Sequence, residues 1–156
     1  MFNIQVEYPS EEEEYRIIEA TTVNTRQPIE RVVSGEEMLH MQSVVRRVPV
    51  APHVIRYAMM LTRSTRKEYD HVPDFVREYV TWGAGPRAGQ SLVWAAQARA
   101  VMYGRCYVAI EDIRALAAPV LRHRLILNFN AEADRISADE IVRRLLDRFQ
   151  REIPSR

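Results

Sequence analysis

An arginine at the start of a helix is the residue of this sequence with the clearest chemistry. The run Trp82-Gly83-Ala84-Gly85-Pro86-Arg87-Ala88-Gly89-Gln90-Ser91-Leu92 leads from a tight turn into a Leu-, Val- and Ala-rich stretch that reads as a helix from about Arg87 to Tyr103. The glycines and the proline position the helix start, whose free N–H groups and dipole attract anions. A cation in that first turn opposes the dipole, at a cost of a few tenths to ~1 kcal/mol. A phosphate would satisfy both the guanidinium and the N–H groups; a nearby carboxylate would satisfy the guanidinium alone. Arg87 is thus a candidate phosphate contact, with an ion pair as the alternative.

The remaining chemistry-bearing residues form no comparable set. The sequence holds no G-x-x-x-x-G-K-[ST], H-E-x-x-H or G-x-S-x-G, and no G-x-G-x-x-G with a following acid. His40, His53, His71 and His123 lack ligand spacing and read as surface or capping residues, so no metal site is expected. Cys106 has Arg105 beside it, which favours a thiolate, but a lone cysteine just after a helix reads as structural. Arg122-His123-Arg124 is basic enough to meet phosphate, without a second feature to support it.

The elements that position these residues follow from periodicity and capping. Phe2, Ile4, Val6 and Tyr8 alternate with Asn3, Gln5 and Glu7, a period-2 strand pattern that needs a sheet from elsewhere. Ser10 with Glu13, Ser34 with Glu37 and Ser137 with Glu140 are three capping boxes. The first helix offers Tyr15, Ile17 and Ile18 as apolar contacts and is followed by an irregular connection, Thr21 to Pro28. The second offers the stripe Met38, Met41, Val44, Val45 and Val48. Pro52 opens a third, expected to bury Val54, Ile55, Ala58, Met59 and Leu61, and the polar stretch Thr62 to Pro73 ends it. Phe75 to Trp82 fits either a short strand or a helical turn. Gly104 stops the helix that Arg87 begins. Another helix runs from Glu111 to roughly Leu121, interrupted near Pro119, and Leu125 to Phe129 reads as extended. The last helix has the clearest period: Ile141, Val142, Leu145, Leu146, Phe149 and Ile153 oppose Arg143, Arg144, Asp147 and Arg148. The body is an α bundle of five or six helices.

Composition bounds the partners. The chain has 156 residues, 47% hydrophobic and 28% charged, with net charge +1: one ordinary domain with no bulk attraction to polyanions. A single cysteine excludes an internal disulfide. No apolar run approaches the roughly 18 residues of a membrane span, and the N-terminus lacks a secretion signal, so a cytoplasmic protein is expected. Lys67 is the one lysine among 22 basic residues, a skew that fits codon bias better than design. Residues 1–30 hold seven acids and two arginines, net −5, while 31–156 hold fourteen acids and twenty bases, net +6. Glu11 to Glu14 causes most of the first figure and reads as a solvated helix start.

Several blocks resemble one family. Gly83-Ala84-Gly85-Pro86-Arg87-Ala88 resembles the G-A-S-P-R-A stretch of MoxR-type AAA+ ATPases, in which the arginine is the sensor-2 residue of the lid. Val6-Glu7-Tyr8-Pro9-Ser10 with Glu13-Glu14 resembles the end of that family's ATPase core. Gly104-Arg105-Cys106-Tyr107-Val108 followed by Glu111-Asp112-Ile113 is similar to its G-R-x-Y-V-x-x-E-D-[IV] stretch, and Val120 to Leu125 to its V-L-R-H-R-[IL]. The blocks keep the family's order and cover nearly the whole chain. Gly85 replaces a serine, and Ala109-Ile110 stands where Thr-Pro is common, so the helix there should start less firmly.

The resemblance implies a mostly α lid domain, a helical bundle over residues 11–156, preceded at residues 1–10 by a short strand left from an α/β core. It implies that Ala84, Gly85, Pro86 and Arg87 bind nucleotide and that Arg87 contacts the γ-phosphate. ATP and Mg²⁺ would serve a full-length ATPase, whose phosphate loop, metal-binding acid and arginine finger lie upstream in the family; the fragment alone should bind neither and not hydrolyse ATP. The expected partners are that missing core, the neighbours in a homo-oligomeric ring (a hexamer) and a client protein remodelled or loaded with cofactor, with no membrane and no nucleic acid. The alternative is a helical module that binds protein or nucleic acid through arginine faces at Arg46-Arg47, Arg122-Arg124 and Arg143-Arg144.

Overall fold

In the computed structural model, which describes residues 1–22 and 29–152 (151 and 152 by backbone alone), capping chemistry opens the first helices where the sequence puts it. At α1 (Glu11–Thr22) the Ser10 N–H donates to Glu13 Oε2 at 2.9 Å, and at α2 (Gly35–Arg46) the Ser34 N–H donates to Glu37 Oε2 at 2.7 Å, with reciprocal bonds to each serine hydroxyl. These bonds favour the ionised carboxylates and lower both pKa values. Neither helix buries a residue. Tyr15, Ile17, Ile18, Met38 and Met41 are all exposed, contrary to the expected apolar contacts and stripe; only Val44, Val45 and Val48 are half-buried. The expected strand at Phe2 to Tyr8 is also not formed. A strand needs a ladder partner, and this segment has one backbone bond outward, Asn3 N–H to the Pro119 carbonyl at 2.8 Å, with Phe2, Ile4, Val6 and Tyr8 exposed. Residues 23–28 of the expected irregular connection lie outside the described residues.

The packed body begins at α3 (Pro52–Arg63) and continues through α4 (Asp74–Tyr79), β1 (Val80–Trp82), α5 (Pro86–Met102), α6 (Ile110–Leu121), a 3-10 turn (Arg122–Arg124), β2 (Ile126–Leu127), α7 (Phe129–Ala133) and α8 (Ala138–Glu152). Phe75 to Trp82 holds both readings in series, a helical turn and then a strand. β1 and β2 pair antiparallel, Val80 with Leu127 and Trp82 with Ile126, with an irregularity between Val80 and Trp82. Among the described residues the fold is therefore mostly α with one short two-stranded sheet, and that sheet joins residues distant in sequence rather than using the N-terminal segment.

α5 is the central rod, packed on α3 and α6. Its small residues Ala88, Ala96 and Ala100 are buried, which lets the neighbouring backbones approach closely, while Leu92 fills the space between. Val54, Tyr57, Ala58 and Leu61 of α3 and Ile113, Ala117, Val120 and Leu121 of α6 complete that layer. Ile55 and Met59, expected in the core, are about half exposed at the edge of this layer. α6 runs unbroken through Pro119, so close to its end that one missing backbone donor does not stop it. α8 buries Ile141, Val142, Leu145 and Phe149, with Leu146 half-buried; Ile153 lies outside the described residues. The Ser137 hydroxyl caps the Glu140 N–H at 3.2 Å, but the Glu140 carboxylate turns to Arg143 and Arg144, each at 2.7 Å.

At the start of α6, Ala109 has no side chain with which to cap. Asp112 compensates: its buried carboxylate accepts from the Ala109 N–H at 2.9 Å, from Arg105 at 2.7 and 2.6 Å, and from Arg99 of α5. The Arg105 guanidinium, against the cost of burial, holds the Asp112 pKa at about 2, below the ordinary 3.8. A carboxylate depressed in the folded state stabilises the fold above its unfolded pKa and loses that contribution as pH falls through the folded value. Asp112→Asn should therefore cost about 2 kcal/mol at neutral pH. Thermal melts of parent and variant should converge between about pH 4 and pH 2, the window set by the shift; parallel melting curves across that range would contradict the assignment.

Candidate functional site

The four residues expected to act together, Ala84, Gly85, Pro86 and Arg87, do meet at one end of α5. A Cβ on Gly83 would lie 2.2 Å from the Thr65 carbonyl oxygen, so only glycine allows the chain to pass there. Ala84 is buried; its N–H donates to Thr65 Oγ1 at 2.9 Å and its carbonyl accepts from Arg66 Nε at 2.8 Å. Gly85 takes the N-cap position in extended backbone at φ −76°, with open space where a Cβ would be, so the serine of the resembled motif fits the same turn. Pro86 is the first residue of the helix, with Arg87 directly after it.

Arg87 is exposed and makes no hydrogen bond or ion pair among the described residues. The carboxylate alternative is thus not realised: α5 has no acid in its first turn. Pro86 has no N–H and the Ala88 N–H donates to the Gly85 carbonyl at 3.0 Å, so the exposed Arg87 guanidinium is the main anion-attracting group of this helix start.

Beside this helix start, a groove of about 560 Å³ opens between α3 and α5. Ile55, Met59, Pro86, Val93 and Trp94 form its apolar walls, and Arg63 and Arg66 carry charge along it. The Arg63 guanidinium lies 4.7 Å from the centre of the Tyr69 ring. No carboxylate lines the groove, so these residues do not fit Mg²⁺, which takes oxygen ligands.

Sequence reasoning missed the groove and the pair Thr65-Arg66. Ile55, Met59 and Trp94 sit on helices with ordinary apolar neighbours, and periodicity does not separate a groove wall from a core face. Thr65 and Arg66 lay within a polar stretch that carried no motif.

The other candidates are engaged or dispersed. Arg122 pairs with Asp139 at 2.9 Å, and Arg124 bonds the Val120 carbonyl and, at 3.2 Å, the Met1 carbonyl. Burial, aided by the Arg124 charge, lowers the His123 pKa. Arg143 and Arg144 are held by Glu140, and Arg143 also by Asp147. Cys106 is exposed. Among the described residues no group of three or more His, Cys, Asp or Glu could hold a metal, and no helix is long and apolar enough to cross a membrane.

Comparison with known proteins bears on the same region. Residues 74–145, which include the whole Gly83–Arg87 turn, match the AAA lid domain family. The chain is 34% identical over 146 residues to chaperone MoxR1 of Mycobacterium tuberculosis, covering 94% of this chain and 38% of that protein. It is 29% identical over 150 residues to the uncharacterised protein YeaC of Bacillus subtilis, covering 94% and 43%. The crystal structure of a candidate ATPase from Cytophaga hutchinsonii superposes with a TM-score of 0.84 at 29% identity, covering 94% of this chain and 45% of that one. The chain thus spans about two fifths of the length of the curated relatives it matches. Residues 74–145, around the arginine turn, thus resemble an AAA lid domain, and nearly the whole chain is similar to part of a MoxR chaperone.

Proposed function

We propose that this chain is the lid of a longer ATPase, in which Arg87 senses and stabilises the terminal phosphate of ATP and transmits nucleotide state to the lid. The observation that carries the reading is the exposed Arg87 in the first turn of α5, which pairs with no carboxylate among the described residues. An apolar groove adjoining a cationic helix start suits a ligand with a flat apolar part and a polyanionic part, as ATP has. Residues 1–10 form the junction to the ATPase core and 11–156 the lid. A guanidinium beside a transferring phosphoryl group neutralises charge spread over its oxygens in the transition state. This chain supplies that charge and the helix start; the carboxylates for Mg²⁺ and the group that orients an attacking water belong to the core. Rotation of the lid within a homo-oligomeric ring, a hexamer, then remodels a client protein or inserts its cofactor. MoxR1 is by name a chaperone, which supports a protein client.

The reading is tested by comparing this chain with the full-length protein. ATP should bind the full-length protein at micromolar concentration and be hydrolysed by it, whereas calorimetry on residues 1–156 alone should detect no micromolar binding, because affinity needs convergent polar groups that one arginine does not supply. Tight ATP binding by the isolated chain would overturn this division of labour. Steeply salt-dependent DNA binding by the isolated chain would favour the arginine-face alternative instead.

A further inference from the structure

The turn that carries Arg87 is gripped on both sides of one residue. Ala84 gives its N–H to Thr65 Oγ1 at 2.9 Å and receives Arg66 Nε on its carbonyl at 2.8 Å. Thr65 is itself buried and fixed, its hydroxyl donating to the Thr62 carbonyl at 2.7 Å. Gly83 packs so closely on the Thr65 carbonyl that no side chain fits between them. The turn that follows α3 therefore clamps both peptide groups of Ala84, and only Gly85 and Pro86 separate that clamp from Arg87. Of these two, Pro86 has its φ locked. Gly85 is the soft joint: it has no side chain, and nothing lies within 4 Å of where a Cβ would stand. Arg66 is half-buried along the groove wall and makes no ion pair among the described residues, so its fixed partner is the Ala84 carbonyl.

We infer that Arg66 is a positioning residue for Arg87. Its Nε–H holds the Ala84 carbonyl so that Gly85 cannot swing, and the first turn of α5 then presents the Arg87 guanidinium at one place. The bulk of α5 does not depend on this bond, because Ala88, Leu92 and Ala96 anchor the helix in the core. What depends on it is the placement of the turn, and a misplacement of about 1 Å can cost on the order of 100-fold in rate. Lysine is no substitute: its single nitrogen ends a flexible stem, whereas arginine offers an Nε–H set in a rigid plane. The inference rests on the phosphate-sensing role proposed for Arg87.

The experiment uses the full-length ATPase with four variants, Arg66→Ala, Arg66→Lys, Arg87→Ala and the Arg66→Ala/Arg87→Ala double. Melting temperature and steady-state phosphate release against ATP concentration are measured for each. Arg66→Ala should lower kcat by roughly 10- to 100-fold with a melting temperature near the parent's, and Arg66→Lys should recover only part. The double variant should be no slower than Arg87→Ala alone, because a residue acting through Arg87 has nothing to add once Arg87 is gone. Multiplying effects in the double variant would overturn the inference, as they would show Arg66 acting independently of Arg87. Parental kcat in Arg66→Ala beside an impaired Arg87→Ala would sink it while leaving the Arg87 reading intact. Parental kcat in Arg87→Ala would remove that reading and this inference together. Should Arg66→Ala fold poorly, Arg66→Met, which keeps the length of the side chain without an N–H donor, carries the same comparison.

Discussion

Arg87→Ala in the full-length protein should cut steady-state ATP turnover by one to three orders of magnitude, about the cost of one lost charge contact in a phosphoryl-transfer transition state. The fold should hardly notice. Arg87 is exposed, touches no carboxylate among the described residues and opposes the dipole of the helix it begins, so the melting temperature should stay within a degree or two of the parent. Arg87→Lys should recover part of the rate, since a point charge lacks the planar fork that meets phosphate oxygens in pairs. Phosphate release by the assembled protein gives the rate, with assembly checked separately by sedimentation. Turnover equal to the parent's in Arg87→Ala would reduce this arginine to a surface residue.

The largest stability effect should come from the other end of the chain. Leu145 and Phe149 of α8 are 0% and 5% exposed, and Phe149 meets Tyr57 of α3 edge to face at 5.9 Å between ring centres. Truncating either leaves a cavity between α8 and the body, which typically costs about 2–5 kcal/mol. Against a total of ~5–15 kcal/mol for a domain, that should lower the melting temperature by roughly 5–15 °C. Met38→Ala supplies the contrast: Met38 is 54% exposed on α2, and such surface changes usually stay within about 0.5 kcal/mol. Equal melting of Phe149→Ala and Met38→Ala would mean that α8 does not close the core.

Local chemistry was legible in the sequence wherever a few adjacent residues decide the outcome. Ser10 with Glu13 and Ser34 with Glu37 start helices because the reciprocal bonds of a capping box span only three positions. Pro86 after Gly85 starts α5 for the same local reason, and the apolar period of α8 already marks Leu145 and Phe149 as buried. The Gly83–Arg87 turn was readable as a helix start because Gly85 and Pro86 favour one, and Arg87 stands out there as a cation against the dipole.

Tertiary structure decided which apolar faces find a partner. The alternation of Phe2 to Tyr8 makes a strand only beside another strand, and among the described residues none lies there. Ile55 and Met59 share a helix with Val54 and Leu61, yet one pair lines a groove and the other is buried, because α5 and α6 cover one side of α3 only. The bonds from Thr65 and Arg66 to Ala84 join residues 19 and 18 positions apart. Their worth depends on where α3 ends relative to α5, which the packing of those two helices in the core decides. Periodicity and capping act over a turn or two of chain; the position of the cationic helix start is fixed by contacts that close only when the helices pack.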